Sequence, residues 1–82
     1  MTKEHVYKTI LSKLNEMGYK NQEIDENTDI FKDLGLDSLD AVELMTGLEQ
    51  EYNITIPDAD IANVSKISDI VDMAIKYIKW IS

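Results

Sequence analysis

The chain has 82 residues, no cysteine and a formal net charge of −8. A chain this short makes one domain that buries only about 60% of the surface its unfolded form exposes, which excludes a second core and a sizeable catalytic cleft. Without cysteine it has neither disulfides nor thiolate metal sites, so any thiol chemistry must arrive on a prosthetic group.

Val6, Ile10, Leu11, Leu14 and Met17 recur at helical spacing and Gly18 stands where a helix ends, which predicts a first helix over about residues 3–17. The next stretch, about residues 18–36, mixes turn formers with Ile24, Ile30, Phe31 and Leu34. It reads as a long loop that lies on the core, with a helical turn near Ile30-Phe31-Lys32. Asp37 is a good N-cap and Asp40 suits the positive end of a helix dipole, so a second helix should run from Asp37-Ser38 to about Tyr52. Asn53-Ile-Thr-Ile-Pro57 favours an extended link, and Pro57-Asp58 opens a short helix to about Asn63. Ser65 is the expected cap of a last helix whose apolar stripe is Ile67, Ile70, Val71, Ala74, Ile78 and Ile81. Trp80 should pack at the bundle edge and His5 should lie on the surface. No strand alternation appears, and the expected fold is all-α: a small four-helix bundle of three longer helices and one short one, with a long first loop.

The charge is unevenly placed. Residues 33–65 hold eight of the sixteen acids and no lysine or arginine. Such a field repels nucleic acid and anionic membranes and attracts basic protein surfaces. The N-terminus, Met1-Thr-Lys-Glu-His-Val6, lacks the apolar run of a secretion signal, which makes the cytoplasm the expected compartment.

With Ser38 at the origin of a helical wheel, Ala41, Leu44, Met45, Leu48 and Tyr52 cluster within about 240–340° and should face the core. Leu39, Val42 and Thr46 fall within about 40–100°, a small apolar patch rimmed by Asp40, Glu43 and Glu49 beside a serine at a helix start. That serine has no base to activate it, since His5 is the one imidazole and lies far off in sequence. No Ser/His/Asp set or phosphate loop appears, which argues against an enzyme. A calcium loop from Asp25 through Asn27 and Asp29 fails at its sixth place, Ile30, and its twelfth, Leu36. No metal is expected.

Asp33-Leu-Gly-Leu-Asp-Ser-Leu-Asp40, followed by Ala-Val-Glu-Leu44, closely resembles the phosphopantetheine attachment site of acyl carrier proteins. The resemblance extends through Glu49 with Tyr52, Ile54-Thr-Ile-Pro57, Asp58 and the final Ala74-Ile-Lys-Tyr-Ile78. It implies that Ser38 receives 4'-phosphopantetheine from coenzyme A through a Mg²⁺-dependent phosphopantetheinyl transferase, and that acyl groups ride on the added thiol. It further implies that Asp37, Asp40, Glu43 and Glu49 meet basic residues of partner enzymes beside Leu39, Val42 and Thr46. By the same likeness Ile30, Phe31, Leu48, Ile56, Ile61 and Val64 would line an acyl pocket in a monomeric carrier. Fatty acid biosynthesis is the first pathway implied. Leu36, where such carriers frequently have a smaller residue, and Gly35-Leu-Asp-Ser38, a motif also found in polyketide and related carriers, keep open a carrier for polyketide, non-ribosomal peptide or other specialised transfer, while the bulky Ile61 argues against sequestering a long chain. An unmodified acidic helical adaptor is the alternative of another class.

Overall fold

Thr2 is extended and its hydroxyl accepts the His5 N–H at 3.1 Å, which starts helix α1 at Lys3–Glu16. The computed structural model describes residues 2–19 and 23–81, and side chains to residue 78. Helix α1 ends one residue before the expected position. Gly18 takes φ 100°, its N–H donates to the Asn15 carbonyl at 3.1 Å, and the Tyr19 N–H returns to Leu14 at 2.9 Å. This is a Schellman ending, which needs a residue without a Cβ penalty at the left-handed position and folds the chain back over the last turn.

The loop after α1 is held by its own side chains. The Asp25 carboxylate accepts the Asn27 N–H at 2.8 Å, and the buried Thr28 hydroxyl oxygen accepts the Asp25 N–H at 2.9 Å. Asp29 takes the N–H groups of Phe31 and Lys32, while Asp33 takes that of Asp29, so the expected helical turn is present and capped at its start. The carboxylates considered for calcium therefore serve turns.

Helix α2 spans Ser38–Tyr52 and ends at Asn53, whose φ of 53° lets the Ile54 N–H return to the Glu49 carbonyl. Helix α3 covers Asp58–Ile61, shorter than expected, with Ala62 and Asn63 in a turn. Helix α4 spans Ile67–Ile81. Ser65 is not its cap. Instead the N–H groups of Ile67 and Ser68 donate to the carbonyls of Thr28 and Glu26, at 3.0 and 2.9 Å, so the long loop satisfies the helix start. Ser65 is drawn into this contact, its carbonyl accepting the Ile30 N–H at 2.8 Å. The N–H of Lys66 and then that of Ser65 donate to the Asp69 carboxylate, and those bonds hold Asp69 below the usual carboxylate range.

Helix α1 packs on both α4 and α2, and α3 lies against α2. The core is built from the predicted faces: Val6, Ile10 and Leu14 of α1, Ala41, Leu44, Met45 and Leu48 of α2, and Ile67, Ile70, Val71 and Ala74 of α4. Met73 joins them, Ile78 is half-buried, and the side chains of Trp80 and Ile81 lie outside the described residues. From the loops Ile30, Leu36, Ile54, Ile56 and Val64 close the bundle.

Gly47 faces α1. A Cβ there would meet Lys13 Cδ at 3.4 Å, and the Lys13 stem runs past it to an ion pair with Glu51 at 3.4 Å. That contact is ordinary and Lys13 is flexible, whereas glycine inside a helix costs about 1 kcal/mol relative to alanine. Gly47→Ala is therefore expected to raise the thermal midpoint by about 4–8 °C, measured by circular dichroism. A lower midpoint would mean that close packing dominates at this site.

Candidate functional site

The start of α2 is built by a reciprocal pair of carboxylates. Asp37 Oδ1 accepts the Asp40 N–H at 2.8 Å, and Asp40 Oδ2 accepts the Asp37 N–H at 3.4 Å, a capping box made of two aspartates. Ser38 is the first residue inside the helix and is exposed. Among the described residues neither its hydroxyl nor the N–H groups of Ser38 and Leu39 have a hydrogen-bond partner. Free donors, the positive end of a fifteen-residue helix and an exposed hydroxyl coincide at one place. A phosphodiester on Ser38 fits there, since its charge would sit beside those donors. Among the described residues the hydroxyl meets no base.

Leu39 is 78% exposed and Val42 51%, and together with Phe31 they are the exposed large hydrophobic residues among those described. Asp37, Glu43 and Thr46 are exposed around them. The predicted patch is thus present on the side of α2 away from the core, with an acidic rim.

Two rim residues have inward duties. The Glu49 carboxylate accepts the Ile56 N–H at 2.8 Å, pinning the extended link before Pro57. Asp40 Oδ2 accepts the Tyr19 hydroxyl at 2.7 Å as well as the Asp37 N–H. That bond to Asp40 is the main reason the Tyr19 phenol is held above its ordinary value, with burial and the charges of Asp40, Asp37 and Glu43 adding to it. Sequence reasoning missed Tyr19. Its signal was the helix-ending Gly18, because a Schellman ending returns the second residue beyond the helix to the bundle.

The residues expected to line an acyl pocket divide. Ile30, Leu48, Ile56 and Val64 belong to the core, the first two with no exposed surface. Ile61 is half-buried, and Phe31, at 38% exposed, stands with the surface residues. A hollow beside α3 and α4, lined by Asp60, Asn63, Val64 and Met73 among others, includes only Val64 of the six. Leu36 is 4% exposed, so its side chain contributes to the core and not to the surface around Ser38. Among the described residues no group of three or more acidic, histidine or cysteine side chains could hold a metal, and no helix is long and apolar enough to cross a membrane.

Residues 8–74 match the family model described as the phosphopantetheine attachment site. An acyl carrier protein of Chlorobium phaeobacteroides is 40% identical over 74 residues, covering 90% of this chain and 91% of that one. A mitochondrial acyl carrier protein of Saccharomyces cerevisiae is 41% identical over 58 residues, 71% of this chain and 46% of that one. The crystal structure of an acyl carrier protein from Thermotoga maritima superposes with a TM-score of 0.81 at 31% identity, covering 98% of this chain and 93% of that one.

Proposed function

Because the chain belongs to the acyl carrier proteins of the phosphopantetheine attachment family, we propose that it carries the acyl intermediates of fatty acid biosynthesis on Ser38. Proteins of this family are not enzymes; they hold a covalent 4'-phosphopantetheine and interact with a phosphopantetheinyl transferase and with synthesis enzymes. The observation that carries the assignment to Ser38 is its exposure at the first turn of α2 beside unpaired N–H donors. When bound, the prosthetic group supplies a thiol for thioester formation, and the chain's own residues present it and dock its users. The likeness to the acyl carrier protein of Chlorobium phaeobacteroides runs over 90% of this chain and supports the carrier reading along nearly all of it. Leu36 does not oppose the fatty-acid reading, since it is buried away from the surface that partners meet.

Asp37 and Glu43, with Leu39, Val42 and Thr46, form the docking face in this reading. Asp40 and Glu49 contribute charge there while serving the fold. Exposed ion pairs contribute about 0.2–1 kcal/mol each, which suits a carrier that must deliver and leave. An acyl chain drawn inward would part the contacts of Ile30, Leu48, Ile56 and Val64, with Ile61 at the margin. The cytoplasm is the compartment proposed.

Two measurements test this. Protein isolated from its host should bear straight-chain fatty acyl thioesters in graded lengths; exclusively aminoacyl or polyketide cargo would move it to specialised synthesis. Glu43→Lys should lower kcat/KM for transfer of the acyl group to a synthesis enzyme about fivefold at low salt, with the difference shrinking as salt screens the pair. An unchanged rate at low salt would remove Glu43 from the docking face.

A further inference from the structure

The hydroxyl of Tyr19 reaches across 21 residues of sequence to Asp40. Among the described residues it is the one side-chain hydrogen bond that ties the first turn of α2 to another part of the fold. The two halves of the Asp37/Asp40 capping box are unequal. Asp37 Oδ1 holds the Asp40 N–H at 2.8 Å, while Asp40 Oδ2 stands 3.4 Å from the Asp37 N–H, beyond the usual range for such a bond. The weaker half depends on where the Asp40 carboxylate is kept, and the phenol at 2.7 Å grips the same oxygen. Tyr19 can do this because Gly18 closes α1 with a Schellman ending, which fixes the Tyr19 backbone to Leu14 and brings its half-buried ring to α2.

The geometry points to Tyr19 as a positioning residue for the modification of Ser38: its hydroxyl anchors the Asp40 carboxylate, and thereby holds the turn that presents the serine. This rests on reading Ser38 as the attachment point. Tyr19 is not one of the residues of the docking face, so its effect falls on how often the serine is correctly placed once a transferase has bound. Tyr19→Phe leaves the Asp40 charge in place at the rim of that face, so the loss is expected in kcat and not in KM.

The test compares the whole chain with Tyr19→Phe, which keeps the ring and removes the donor. Tyr7→Phe serves as reference, because the Tyr7 hydroxyl donates to the Ile24 carbonyl at 3.2 Å, away from this turn. With a phosphopantetheinyl transferase, coenzyme A and Mg²⁺, Tyr19→Phe should lower kcat about fivefold and leave KM for the carrier unchanged. Amide exchange should quicken at residues 38–41 without a matching change in α4, and the Asp40→Ala background should abolish the effect of Tyr19→Phe. Tyr7→Phe should behave as wild type. Wild-type kcat in Tyr19→Phe, exchange that quickens equally throughout the bundle, or a full loss that persists in the Asp40→Ala background would each overturn the proposal. A wild-type chain that is never modified would instead sink the carrier reading, and the exchange comparison would still decide whether Tyr19 holds the turn.

Discussion

Ser38→Ala leaves the mass of the chain unchanged after incubation with a phosphopantetheinyl transferase, coenzyme A and Mg²⁺, while the wild type gains one phosphopantetheinyl group. This is the largest functional effect expected of any single substitution, because the reaction joins a phosphate to one hydroxyl and, among the described residues, no second hydroxyl shares its setting. Ser12 and Thr46 are exposed but lie inside α1 and α2, where the backbone N–H groups are already engaged by the helix. Thr2 caps α1, and Ser65 shares Asp69 with the backbone ahead of α4. Among the described residues only Ser38 combines exposure, free N–H donors and the apolar patch of Leu39 and Val42. The substitution should not disturb the fold, since Asp37 supplies the cap and alanine is a good residue within a helix. Intact-mass spectrometry reads the outcome, with circular dichroism confirming that the variant is folded. A mass gain in the folded variant would place the modification elsewhere.

Ile30→Ala is expected to remove about 2–5 kcal/mol of stability, lowering the thermal midpoint by roughly 10–30 °C. Ile30 has no exposed surface, and its backbone joins the long loop to Ser65 next to the start of α4. Truncation leaves a cavity at the point where loop and helices meet. For a chain of this length the total stability is about 4–12 kcal/mol, so a substantial fraction would be lost. Phe31→Ala, at the neighbouring but 38% exposed position, should cost much less. Thermal unfolding of both variants without any acyl group decides whether Ile30 is core. Equal, small losses would mean that the site tolerates a void and is better regarded as the wall of a pocket.

The apolar periods of α1, α2 and α4 were legible because each helix buries one stripe, and burial selects side chains at a spacing the helix itself imposes. Asp37 as cap and Ser38 just inside the helix were legible for the same local reason: capping acts over three residues. The reading failed where partners lie far apart in sequence. Ser65 looked like a cap for α4, yet the donors of that helix end on the carbonyls of Thr28 and Glu26. Glu49, expected to carry docking charge, also turns its carboxylate to the Ile56 N–H seven residues on, a second role that no local pattern indicated. Phe31 and Ile30 are neighbours with the same apolar character, and only packing separates surface from core.

By itself the sequence determined the helices, the faces they bury, the acidic segment and the serine at a helix start, because these follow from period, propensity and the chemistry of residues close along the chain. The tertiary structure alone decided which loop carbonyls begin α4, which carboxylates remain free for partners, and that Tyr19 reaches Asp40. Those outcomes depend on hydrogen bonds closed across 7 to 42 residues of chain. No local pattern records such a bond, since its partners become neighbours only after the core has formed.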